Sequence, residues 1–116
     1  MSPAPPERWT VNAADAVQAT LVIPADARRE RHFELACAMT VGLHEVNPAA
    51  WHQMTVLANG VQQWSRRVTT HNPGTFDGLD YRFARTVPVG QSLRVVVTVA
   101  CQGGRRRSLV IEADEA

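Results

Sequence analysis

The sequence predicts an all-β domain, a two-sheet antiparallel β-sandwich of about seven strands. Three observations predict it. Phe33, Leu35, Cys37, Met39, Val41 and Leu43 alternate with polar or small residues, and Leu93, Val95, Val97, Val99 and Cys101 alternate with Arg94, Val96, Thr98 and Ala100. That is the period of a half-buried strand. Short runs rich in Val, Thr and Leu recur between Pro, Gly and Asn at close to the roughly 8 to 12 residue spacing of all-β domains, and no long segment holds a helical period. A sheet with one apolar face must cover it, so two packed sheets are expected.

The elements follow in chain order. Residues 1–10 are Pro-rich and polar and read as a flexible arm, leaving 11–116 as a single domain. A first strand runs from Val17 to Ile23 and stops at Pro24; a second covers His32 to Leu43, and Asn47-Pro48 breaks the chain after it. Trp51 to Ala58 and Val61 to Thr70 flank Asn59-Gly60, the strongest short-range hairpin signal, because a type I′ turn needs positive φ at both central residues. His71-Asn72-Pro73-Gly74 turns the chain into a strand around Leu79 to Phe83, closed by Pro88 and Gly90. Leu93 to Cys101 follows, and the turn Gln102-Gly103-Gly104 leads to a last strand from Ser108 to Ala113.

Composition excludes several classes of function. With 116 residues, 45% hydrophobic, 20% charged and a net charge of +1, the chain is one domain able to bury a core, neither a disordered tail nor an electrostatic nucleic-acid clamp. No apolar run approaches the roughly 18 residues of a membrane helix. The amino terminus has no basic segment followed by an apolar one, so a cytoplasmic address is expected. All twelve basic residues are Arg, in a chain rich in Ala and Val, the signature expected of a high-GC bacterial coding sequence.

Residues able to carry chemistry are scattered. His44, Glu45, His52 and His71 are the weak candidates for a metal site, and none stands at the spacing that sets two ligands on one face. Asp77 and Asp80 lie in or beside loops, and no serine occupies a nucleophile elbow. No catalytic residue and no cofactor is therefore expected. Arg105-Arg106-Arg107 and Arg94, with Arg66, Arg67, Arg82 and Arg85, offer local positive charge. Arginine on exposed strands also discourages edge aggregation, and without interleaved aromatics nucleic acid is a minor option.

The hairpin permits a register calculation. A two-residue loop pairs Ala58 with Val61, Leu57 with Gln62 and Thr55 with Trp64. One face then carries Trp51, Gln53, Thr55, Leu57, Gln62, Trp64, Arg66 and Val68, and the other His52, Met54, Val56, Ala58, Val61, Gln63, Ser65 and Arg67. If the Met54/Val56 face is inside, two tryptophans stand on an open sheet among Gln53, Gln62 and Arg66, a platform for a sugar ring or a protein partner. If the other face is inside, the platform becomes core. The expected function is a non-catalytic binding or assembly module that takes carbohydrate or protein at Trp51, Gln53, Gln62, Trp64 and Arg66. The alternative is a structural domain that forms a homodimer through an edge strand or the open sheet, and a metal-dependent enzyme comes third.

Cys37 on the second strand, Cys101 on the sixth and Trp51 opening the third together resemble the immunoglobulin and fibronectin type III sandwich over residues 17–113. The resemblance implies an immunoglobulin-like fold with a Cys37–Cys101 bridge packed under a tryptophan. Val99 stands where that family has a tyrosine, two residues before the second cysteine. Read on their own, both cysteines suit reduced, buried thiols, the favoured alternative to the bridge. The fold alone implies no function.

Overall fold

The computed structural model of the chain describes residues 5–71, 73 and 76–116. The strands are β1 (Arg8–Asn12), β2 (Gln18–Ile23), β3 (Arg31–Gly42), β4 (Trp51–Ala58), β5 (Val61–Thr69), β6 (Phe76–Val87), β7 (Leu93–Gln102) and β8 (Arg105–Glu115). They form two four-stranded antiparallel sheets, ordered β1-β8-β3-β6 and β2-β7-β4-β5. Among the described residues no helix is long and apolar enough to cross a membrane.

The period-two stripes become the core. Phe33, Leu35, Cys37, Met39 and Val41 of β3 are buried and meet Leu93, Val95, Val97 and Val99 of β7 across the sandwich, with Met54, Val56, Leu109 and Ile111 filling between. Each of these side chains gains about 1.5–3 kcal/mol from leaving water, which is why the alternation dictates which residues lie inside. It does not dictate which strands are neighbours.

The strand order is that of a jelly roll, eight strands in two interlocked Greek keys. An immunoglobulin sandwich shares its two inner pairings, here β3 with β6 and β4 with β7, but sets its last strand beside the one before it. In this chain β8 instead leaves the Gly103-Gly104 turn, crosses to the other sheet and inserts between β1 and β3. The coarse expectation of an all-β, two-sheet antiparallel sandwich therefore holds, with the outer strands placed differently.

The element bounds also shift. β1 lies partly inside the stretch expected to be a flexible arm, whose first four residues are outside the described ones. Residues Arg8 to Asn12 pair with Asp114 to Val110, and Trp9 and Val11 pack against the core. A five-residue alternation behind Pro5-Pro6 is easily passed over, and it makes the strands eight. β6 and β8 run further than expected because β3 offers each a ladder along nearly its whole length, and tertiary pairing overrides the weak strand propensity of their charged ends.

Carboxylates and guanidinium groups tie down one end of the sandwich. Arg31, only 2% exposed, donates from Nη1 to Glu7 Oε1 at 2.9 Å and from Nη2 to the Pro24 carbonyl at 2.6 Å. Arg29 donates to Glu7 Oε2 at 2.7 Å and to Glu115 Oε2 at 2.5 Å, and the Glu7 amide donates to Glu115 Oε1 at 2.9 Å. These bonds, led by the one from Arg29, hold the Glu115 carboxyl down at about 2. Together with the β1–β8 ladder they fix the amino-terminal residues to the carboxyl-terminal strand.

Candidate functional site

The hairpin turn forms as expected, with Asn59 at φ 48° and Gly60 at φ 79°. Ala58 pairs with Val61 and Leu57 with Gln62, but the register then shifts and Val56 faces Trp64. Gln63 is the extra residue of a β-bulge, and its side-chain amide donates to the Val61 carbonyl at 3.0 Å. A one-residue shift moves every later side chain to the opposite face. Thr55 therefore meets Ser65, Gln53 meets Arg67, and Met54 meets Arg66.

The five residues expected on one face are thereby divided. Trp51, Gln53 and Gln62 stay on the outer face of the β2-β7-β4-β5 sheet, while Trp64 and Arg66 turn to the inner side. On the outer face the Arg67 guanidinium lies 3.7 Å over the Trp51 ring and its Nε donates to Gln53 Oε1 at 2.8 Å. Trp51 Nε1 donates to Gln102 Oε1 at 3.2 Å. Arg67, absent from the expected set, takes the place assigned to Arg66.

On the inner side Trp64 stacks on Tyr81 of β6, with ring centroids 4.9 Å apart and planes 10° from parallel, and Tyr81 stacks on Phe83 at 5.4 Å. All three are half-buried. They fill the gap between β5 and β6, the edge strands on that side, each with a single ladder partner. The other side of the sandwich is closed by β1 and β8 against β2. This seam joins the sheets by side chains alone and leaves two strand edges open to solvent. Tyr81 and Phe83 are not singled out by the sequence reading; their alternation with Leu79 marks them as inward but not what they face.

The candidate metal ligands do not converge. His52 is fully buried, with Nδ1 sharing a 2.7 Å hydrogen bond with Thr70 Oγ1 and Nε2 without a partner among the described residues. His44 and Glu45 are exposed on the lip of a shallow pocket of about 370 Å³ with Asn47, Gly103, Gly104 and Arg105. His71 is exposed and donates its backbone amide to Asp77. Among the described residues no three His, Cys, Asp or Glu side chains gather to hold a metal.

Both thiols are free, so the bridge implied by the immunoglobulin resemblance does not form. Cys37 is wholly buried, and burial pushes its thiol up to about 12. Cys101 is half-buried near the end of β7, its Sγ donating to the Gly104 carbonyl at 3.5 Å. Because the thiolate is the reactive form, iodoacetamide at neutral pH should alkylate Cys101 in the native protein and reach Cys37 only after denaturation. Equal labelling of both, read by mass spectrometry, would contradict this placement.

No family model matches the chain, and no curated protein matches it. Among solved structures it is similar to part of dimeric latent PorU from Porphyromonas gingivalis, with a TM-score of 0.54 and 15% identity over 92% of this chain and 10% of that one. It is also similar to part of the VP2 subviral particle protein of infectious bursal disease virus, with a TM-score of 0.47 and 12% identity over 94% of this chain and 32% of that one. The chain thus spans about a tenth of PorU and about a third of VP2. At 15% identity the likeness to PorU is one of fold alone.

Proposed function

We propose that this domain is a non-catalytic assembly module that joins protein to protein along the open side of its sandwich. The observation that carries the proposal is the Trp64–Tyr81–Phe83 seam between the free edges of β5 and β6. A free edge presents a row of unpaired backbone donors and acceptors, and an added strand satisfies them while neighbouring side chains supply specificity. Half-exposed aromatic rings are the side chains that most often anchor such contacts.

A carbohydrate ligand on the expected platform has weaker support. Trp51 keeps its outward place with Gln53, but Arg67 already covers its ring and Trp64 stands on the opposite side of the strand. Sedimentation equilibrium of the full chain tests the assembly reading: the average mass should rise with concentration. A monomer mass throughout would overturn it.

A further inference from the structure

We infer that the strand accepted on the open side is the β6 of a second copy of this chain, laid antiparallel to the first with a two-fold axis through Tyr81. This rests on the assembly reading above and adds the partner and the register to it. The two-fold places residue 80 opposite 82, 79 opposite 83, 78 opposite 84 and 77 opposite 85. Asp80 then meets the other copy's Arg82, Asp77 meets Arg85, Leu79 meets Phe83 and Tyr81 meets Tyr81, each unlike pair made twice by symmetry. β6 is in this sense a charge palindrome, with acids before Tyr81 and arginines after it.

The faces agree with that pairing. Asp77, Leu79, Tyr81, Phe83 and Arg85 point to the inner side, while Asp80 and Arg82 are exposed on the outer face. Like faces therefore meet and the two β1-β8-β3-β6 sheets continue into one another. Registers that preserve the faces move the axis by whole residues. With the axis on Asp80, that residue meets itself; with the axis on Arg82, two arginines meet. Only the axis at Tyr81 pairs every charge of the strand with its opposite, and like charges directly across a ladder are unfavourable.

Among the described residues none of Asp77, Asp80, Arg82 and Arg85 forms an ion pair, although the Asp77 carboxylate accepts from the His71 and Gly78 amides. Arg85 Nε is buried without a hydrogen-bond partner among them, and the facing carboxylate of Asp77 is within reach in the paired strands. A buried, unpaired guanidinium nitrogen is costly, and this register supplies its acceptor. The Tyr81 and Phe83 rings, half-exposed in one copy, become covered by their counterparts.

Two exposed single reversals, Asp80→Arg and Arg82→Asp, test the register in the full chain by sedimentation velocity and native mass spectrometry. Each variant alone sets like charges against each other at both symmetry-related sites, so its dimer should be weaker than the parent's by at least about tenfold. Mixed in equal amounts, the two restore opposite charges and should form a heterodimer, and the double reversal Asp80→Arg/Arg82→Asp should dimerise like the parent. Unaltered dimers of the single variants, or a mixture that stays monomeric, would overturn the register while leaving assembly through another surface. A parent chain that remains monomeric at every concentration would remove the assembly reading itself.

Discussion

Replacing Glu7 with alanine is expected to destabilise the domain by about 3–5 kcal/mol, the cost of leaving a buried charge without its partner. Arg31 is 2% exposed, and Glu7 is the only carboxylate within ion-pair distance of it among the described residues. Glu7 also anchors Arg29 and accepts from Trp9 Nε1 at 3.1 Å, so its loss loosens the β1 end of the sheet as well. Urea unfolding gives the measurement, and a change below about 1 kcal/mol, the ordinary worth of an exposed pair, would show that the amino-terminal segment is not fastened as described.

The same cluster makes stability depend on acid. The Glu115 carboxyl is held at about 2, below its ordinary 4.5, chiefly by the bond from Arg29 and then by the Glu7 amide. A group whose folded value is depressed stabilises fully above its unfolded value and loses that contribution as pH falls through the folded one. Stability should therefore decline between about pH 4.5 and 2. In Glu115→Gln that part of the decline should be absent; an identical slope in both proteins would contradict the cause given.

Truncating the two tryptophans of the hairpin separates the observed register from the regular one. Trp64→Ala removes a half-buried ring stacked on Tyr81 and packed against the core, and should cost about 2–3 kcal/mol, somewhat less than a fully buried aromatic. Trp51→Ala removes an outward ring held by Arg67, worth about 1 kcal/mol or less. Equal and small losses would return Trp64 to the outer face and dissolve the seam on which the assembly reading stands.

The sequence made the core legible and left the neighbours of each strand obscure. β3 and β7 announce themselves because one face of each is an unbroken row of larger apolar residues and Cys, while the other mixes polar residues with Ala, Gly or a single Val. β5 is different: Gln62, Trp64, Arg66 and Val68 against Val61, Gln63, Ser65 and Arg67 mix polar and apolar residues in both sets. A single bulged residue can reverse such a strand without leaving a trace in the pattern. β1 is hidden for another reason, since its partners and the carboxylate that Glu7 binds lie at the far end of the chain. Of the expected site, Trp51, Gln53 and Gln62 keep their places on the outer face; the aromatic seam depends on a contact between β5 and β6 that no local pattern encodes.

Amide hydrogen exchange of β6 as a function of protein concentration tests most directly the claim that the open side is an assembly surface. One row of β6 amides bonds to β3 and the other faces the free edge. Protection of that second row should rise with concentration across residues 76–86, centred on Tyr81, while β1, the edge strand of the same sheet on the closed side, keeps its rates. Exchange at the β6 edge that is fast and independent of concentration would contradict it.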